Sequence, residues 1–496
     1  MLFNSYIFIF LFLPITLAGF YLLKNKLPTV AKVWLIATSL WFYGYFNVGY
    51  LAIMVVSILF NYAVYQLIIS RRSSRIPLTI GVLGNVGLLG YFKYTDFMLE
   101  SCNFIFGTEL PLKHILLPLG ISFFTFQQIG FLADAYRDEL PGTETTFIDY
   151  ALFVSFFPQL IAGPIADGQS MLPQYRAIGT KVQREENGPL GKDRVINGIT
   201  LFIFGLAKKV LIADTFGKSV DYVYDAVGTG INSIEALLVI LFYSLQLYFD
   251  FSGYCDMALG LGGLFGIDIP VNFDSPYKSR NIIEFWRRWH VTLNKFLTKN
   301  VYIPLGGNRK GNVRTYVNLL IVFLISGIWH GAGVTFILWG LMHGVMYVIT
   351  RLIVKSRNAK DDACSGIISH VITFIFVCIA WVFFRSPDVL TACMILKSVV
   401  TGGIGRIGDG FLEGFNTGEF WYVLKMLHVT GFAFSRYIVM ILFTVFGVLT
   451  VLMAPNALHV TKTIKRTVPQ GILLGILFIW CVLSLSGVSS FLYFNF

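Results

Sequence analysis

Two histidines in apolar surroundings are the residues best placed to do chemistry in this 496-residue sequence. His330 stands in the run SGIWHGAG (326–333), beside Trp329 and between two apolar stretches that both return to basic loops, so it falls near the apex of a hairpin. Gly327, Gly331 and Gly333 flank it and let a backbone or a substrate come close. An ionisable group inside an apolar stretch is costly and is a functional candidate for that reason. Two readings stand: a packed structural histidine, or a neutral imidazole that accepts a proton in a dry tunnel. His290 closes the run EFWRRWH (284–290). On a continuous helix Trp286, Trp289, His290 and Leu293 share one face, Arg287 turns away, and Asn294 stands one turn on, placed to hold the imidazole. An interfacial helix explains Trp286, Arg287 and Arg288 at headgroup level, but not a histidine on the apolar face.

Two further sets carry polar groups into apolar sequence. YSLQLYFDFSGYCDM (243–257) places Gln246, Asp250 and Asp256 in or beside an apolar helix. Unpaired carboxylates there are expensive, so each is expected to meet a basic or hydroxyl partner, with Arg287 and Arg288 as candidates. A structural ion pair and a substrate-binding role for Asp250 both remain open. The run FLYFNF (491–496) follows the last apolar stretch. It reads either as a plain apolar tail or as a flexible end on which the Tyr493 hydroxyl carries an acyl group as an ester. His343, among Trp339, Gly340 and Gly344, reads as a packing residue, and His114, His370, His428 and His459 fall near span ends. The six cysteines form no CxxC pair and have no histidine at ligand spacing, so we expect no metal site and buried, inert thiols.

The elements that position these residues follow from composition. The chain is 56% hydrophobic and only 13% charged, about half the charged share of a soluble domain. That excludes a disordered chain, a disulfide scaffold and an ordinary soluble enzyme, and leaves an all-α, multi-pass membrane protein. The net charge of +11 is read as basic cytoplasmic loops and not as a nucleic-acid surface. Those loops are near Lys24–Lys32, Arg71–Arg75, Arg137, Arg176–Arg194, Lys278–Arg314, Arg351–Lys360 and Lys462–Arg466. The pattern closes with both ends outside, a segment at 147–166 that re-enters without crossing, and about twelve crossings. The first 23 residues lack a basic leader and a cleavage site, so they are expected to be a retained span. Residues 272–314 are too polar to cross and are expected to lie at the cytoplasmic interface or dip into the protein, while 401–420 form an outward loop. No internal repeat is visible, which counts against a secondary transporter.

Six ordered runs resemble one family: LPLGISFFTFQQIGFLADAYR (117–137), FPQLIAGPI (157–165), YFDFSGYCDMALGLG (248–262), FWRRWHVTLNKFL (285–297), YIPLGGNRKG (302–311) and SGIWHGAGVTFILWGLMHG (326–344). The family is the membrane-bound O-acyltransferases, in its bacterial alginate O-acetyltransferase branch. The resemblance implies one domain over 1–496, with a motif-bearing core at 110–345 and C-terminal helices at 346–496. It implies a ring of helices around a thin centre, His330 as the catalytic histidine, and His290 as the second histidine of the branch. Trp286, Arg287, Arg288, Asn294, Trp329 and Asp250 are then expected to contact substrate. FLYFNF resembles an acyl-relay tail, which implies Tyr493 as relay. The chain departs from the pattern at Ala166 and Asp167 after AGPI, and at Lys299 and Asn300 where an Arg-Asp pair is common.

The expected reaction moves an acetyl group from cytoplasmic acetyl-CoA to a secreted or cell-wall polysaccharide, directly or through an extracytoplasmic partner acetyltransferase. The enzyme would sit in the bacterial inner membrane among lipid, hold no cofactor, and bind no nucleic acid. Lys and Arg of 278–314 would grip the CoA phosphates. A D-alanyl transfer protein for teichoic acids, fed by a carrier protein, is the rival within the superfamily. A polysaccharide or lipid transporter without chemistry is the rival outside it.

Overall fold

The computed structural model describes residues 1–71, 74–142, 144–180, 189–356, 366–416, 425–426, 435–487 and 491–492, without side chains at 189–192 and 486–487. Tyr493 and His428 therefore lie outside the described residues. Among these residues all regular structure is helical. Helices α1 (Phe8–Leu23) and α2 (Pro28–Gly44) precede α3 (Val48–Ser70) and the long α4 (Ile76–Phe106). A shorter α5 (Ile121–Tyr136) and α6 (Phe147–Ser155) follow. Two long helices come next, α7 (Asp193–Thr229) and α8 (Ser233–Leu264), then two short ones, α9 (Ile282–Arg288) and α10 (Val291–Leu297). The chain continues through α11 (Asn312–His330), α12 (Val334–Ser356), α13 (Ile367–Arg385), α14 (Val389–Thr401), α15 (Ser435–Met453) and α16 (Val468–Leu483).

Eight of these helices are long and apolar enough to cross a bilayer, namely α3, α4, α7, α8, α11, α12, α13 and α15, and α1, α14 and α16 are shorter apolar helices. Two further apolar stretches hold the helices α2 and α5, of only 17 and 16 residues. At 1.5 Å per residue these reach about 25 Å, short of a full hydrocarbon core of about 30 Å. α6 has nine residues, seven of them buried, so the segment at 147–166 enters the protein without crossing, as its sequence suggested. α8 is the axis of the fold. Its apolar window is 72% buried against 22% for α15, which places α15 at the lipid-facing rim. A capping box starts α8: the Asn232 side chain takes the amides of Ile234 and Glu235, and Glu235 bonds back.

One end of the bundle gathers the basic loops. Lys32 pairs with Asp149 at 2.7 Å, Arg194 with Asp268 at 2.7 Å, and Arg466 with Asp193. Arg137 donates to Asn300 at 3.1 Å, and Lys278 to the Ala454 carbonyl at 2.7 Å. The opposite end joins Arg385 to Asp221 at 2.9 Å and residues 403–408 to the start of α8. The gathered positive charge marks the first end as cytoplasmic. Residues 272–314 dip inward: Phe285, Trp286 and Trp289 are buried, so this is not a helix lying on the membrane surface. The cysteines differ from expectation in one respect. Cys255, Cys378 and Cys481 are buried, but Cys102 is half-buried and Cys393 exposed.

Candidate active site

His330 is the last residue of α11, at the turn into α12, and is buried. The hairpin is close because its contact positions are glycine. A Cβ on Gly327 would lie 2.3 Å from the Phe336 carbonyl oxygen, and one on Gly340 would lie 2.4 Å from that of Phe323. Aromatic rings wall the imidazole, with centroids at 4.8 Å for Trp329, 5.1 Å for Trp339 and 5.2 Å for Phe384. His343 lies behind this wall, as a packing residue should. It accepts a hydrogen bond from the Trp286 indole at 3.3 Å and packs on Trp339.

His290 reaches the same place by a different route from the one its sequence suggests. The run EFWRRWHVTLN is not one helix: α9 ends at Arg288 and α10 begins at Val291. Between them His290 adopts a left-handed backbone with φ 45° and ψ 50°, a conformation costly for any residue with a Cβ. Asn272 holds the break. Its carbonyl takes the Val291 amide at 3.0 Å, and its Oδ1 accepts the Thr292 amide at 3.2 Å and the Thr292 hydroxyl at 2.9 Å. The same Oδ1 stands 3.2 Å from His290 Nδ1, so it orients the ring. Asn294 does not hold the ring; it donates to the Trp286 carbonyl at 2.8 Å. The centroids of His290 and His330 are 6.1 Å apart, with Trp329 beside both.

A cavity of about 380 Å³ leads toward this pair from the cytoplasmic end, lined among others by Asp134, Lys295, Lys299, Asn300, Thr292 and Phe126. Thr292 at its wall bonds the same Asn272 that meets His290. Phe126 stacks on Phe296 and on Trp329, with centroids at 4.5 Å and 5.2 Å, so two aromatic layers separate the cavity from His330. Lys299 bridges Asp134 and Glu139 at 2.7 Å each; partial burial works against its charge, but these carboxylates hold its pKa above the ordinary lysine value. Lys295 at the mouth is exposed. A smaller cavity of about 170 Å³ lies beside Trp286, Asn294, Ser326 and Arg351. A wider apolar one of about 610 Å³ lies between α7, α8, α15 and α16, and none of these three cavities is lined by either histidine.

The acidic residues and the arginines resolve differently from expectation. Asp250 pairs with Lys209 at 2.7 Å, and Asp256 with Lys208 at 2.6 Å, not with Arg287 or Arg288. A π-helical turn at Lys208–Ala213 directs both lysines at α8, and Lys209 also meets Asp214 at 2.8 Å. Asp250 additionally accepts the Leu492 amide at 3.0 Å, so residue 492 is tied to the middle of α8. Arg287 is exposed, and Arg288 pairs with Glu284 at 2.8 Å. Neither lines the cytoplasmic cavities just described. Asn272 and Lys209 escaped the sequence reading, because nothing in their local spacing ties either to a histidine or an aspartate. Among the described residues no cluster of three or more His, Cys, Asp or Glu could hold a metal ion.

Comparison with known proteins bears on the family. The profile of MBOAT, the membrane-bound O-acyltransferase family, matches residues 137–387. The chain is 44% identical over 428 residues to the peptidoglycan O-acetyltransferase of Helicobacter pylori, covering 81% of this chain and 80% of that protein. It is 38% identical over 417 residues to the probable alginate O-acetylase AlgI of Pseudomonas aeruginosa, covering 82% and 76%. The teichoic acid D-alanyltransferase of Bacillus subtilis is more distant, at 27% over 286 residues, covering 55% and 70%. The family match and these relatives place this all-helical chain in the membrane-bound O-acyltransferase family, as a multi-pass membrane acyltransferase.

Proposed function

We propose that the chain moves an acetyl group from cytoplasmic acetyl-CoA, across the inner membrane of a bacterium, to a hydroxyl of a secreted or cell-wall polysaccharide. The observation that carries this reading is the buried pair of His330 and His290, with Phe126 and Trp329 standing between the cytoplasmic cavity and His330. A charged nucleotide does not cross a bilayer, but an acetyl thioester on a thin arm can enter a cavity whose Thr292 wall shares Asn272 with His290. Lys295 and the neighbouring basic residues at the mouth attract the nucleotide phosphates.

His330 then takes the proton of the acceptor hydroxyl as that oxygen bonds the acetyl carbon. The carbon–sulfur bond breaks, and the CoA thiolate leaves and takes up the proton. His290, fixed by Asn272, stands beside the reacting carbonyl. Neutral imidazoles in a dry aromatic wall suit this step because they accept a proton without a prior loss of charge. Tyr493 is the first acceptor in this reading, and its ester then serves the polysaccharide directly or through an extracytoplasmic partner. The tie from Asp250 to Leu492 supports a tail held near the centre of the membrane.

The stronger likeness to O-acetyltransferases than to the D-alanyltransferase favours acetyl over D-alanyl. The test is the intact mass of the peptide bearing Tyr493 after incubation with acetyl-CoA. An acetyl mass on wild type that is lost in Tyr493→Phe and in His330→Ala supports the relay. Turnover by Tyr493→Phe at the wild-type rate overturns it.

A further inference from the structure

Lys93 lies within α4, in a π-helical turn at Gly90–Tyr94. A lysine at membrane depth is tolerated only where acceptors meet its ammonium. Here the acceptors are the backbone of another helix. Lys93 Nζ donates to the carbonyl of Trp329 at 2.6 Å and to that of His330 at 2.8 Å, with the Ser122 hydroxyl at 3.4 Å. The Tyr94 hydroxyl donates to the Ile328 carbonyl. Three consecutive carbonyls in the last turn of α11 thus receive donors from one turn of α4. The Trp329 indole adds a tie at 3.3 Å to the Ser122 carbonyl, at the start of α5.

These are carbonyls that a helix terminus leaves without intrahelical partners, and a cation there also suits the negative end of the helix dipole. Adjacent residues of a regular α-helix do not face one neighbour. The wider π turn is what lets Lys93 and Tyr94 both reach α11. An ammonium has three N–H donors, and all three find acceptors here, so Lys93 has none left for a substrate oxygen.

We propose that Lys93, with Tyr94, is a positioning residue that fixes the terminal turn of α11 and thereby the aim of the His330 imidazole. The proposal rests on the reading of His330 as the base. A displacement of about 1 Å at a reacting group costs on the order of 100-fold in rate.

The experiment compares Lys93→Met, Lys93→Arg and Tyr94→Phe with wild type and His330→Ala. Turnover is read in cells as acetyl content of the envelope polysaccharide and in detergent as CoA release. Acetyl-CoA binding gives the number of intact sites. Lys93→Met is expected to lower kcat by about 10- to 100-fold, with affinity and site number within about twofold of wild type. Lys93→Arg keeps the charge and is expected to recover most of that loss, and Tyr94→Phe to lose about threefold. Wild-type turnover in Lys93→Met overturns the proposal. So does a loss of activity matched by an equal loss of binding sites and not recovered by Lys93→Arg. Should Lys93→Met fail to fold, Lys93→Arg and Tyr94→Phe decide the question by the same split between kcat and binding. An active His330→Ala would instead sink the reading of the base. An inactive His330→Ala beside a fully active Lys93→Met would sink only the positioning role.

Discussion

At the scale of single residues, His330 and Asn272 have separable tasks. His330 is assigned the proton transfer, so His330→Ala is expected to lower acetyl transfer by about 10²- to 10⁴-fold, the usual worth of a general base. Assays of acetyl-polysaccharide in cells check this, and full activity would contradict it. Asn272 orients His290, closes the backbone break around it and donates to Cys255 Sγ at 3.5 Å. Asn272→Ala is therefore expected to reduce kcat by roughly tenfold and to lower the melting temperature as well, because the Thr292 amide and hydroxyl lose their acceptor. Unchanged kcat and melting temperature would remove Asn272 from the site. The Asp250–Lys209 pair is almost wholly enclosed, with side-chain exposures of 2% and 1%. Lys209 keeps Asp214 as a partner when Asp250 is removed, but removing Lys209 leaves Asp250 buried without its charge partner, at a cost of ~3–5 kcal/mol. Lys209→Met should thus melt well below wild type in detergent, whereas a variant that melts with wild type would mean the pair is dispensable.

At the scale of elements, the α11–α12 hairpin and the α9–α10 break bring the two histidines together. Gly327 and Gly340 allow the hairpin to close, and Gly327→Ala pushes a methyl onto the Phe336 carbonyl. Overpacking of this kind costs ~1–3 kcal/mol and spreads the hairpin at the end that carries His330. Activity should fall more than the melting temperature implies, and parallel loss of both would contradict this. The hairpin was legible in the sequence, because glycines on either side of a histidine, between two apolar runs, permit a tight turn where the chain reverses. The break was not. EFWRRWHVTLN contains no glycine or proline, so its residues promised one helix, and the left-handed turn at His290 is imposed from Asn272, 18 residues upstream. Lys93 was invisible for a similar reason: the carbonyls it serves lie 236 and 237 residues away, and backbone acceptors leave no side-chain signature.

At the scale of the whole molecule, charge and hydropathy foretold the class, and the structure adds where the helices are short. Helices of 16 and 17 residues and a nine-residue re-entrant segment stand where full crossings would otherwise be. Short helices let a cavity approach the centre from the cytoplasm without a complete pore. The gathered basic loops give this arrangement a direction. A cysteine at exposed Lys295 should react with an impermeant thiol reagent in inside-out vesicles and not in intact cells, and the reverse pattern would invert the topology.

One assay bears most directly on the chemistry: CoA release from acetyl-CoA by the purified chain, measured beside His330→Ala. A burst of about one CoA per chain by wild type, slowed at least about 100-fold in a His330→Ala protein that still melts cooperatively, is the predicted result. CoA release at equal rates by the two proteins would contradict the central claim that His330 drives acetyl transfer.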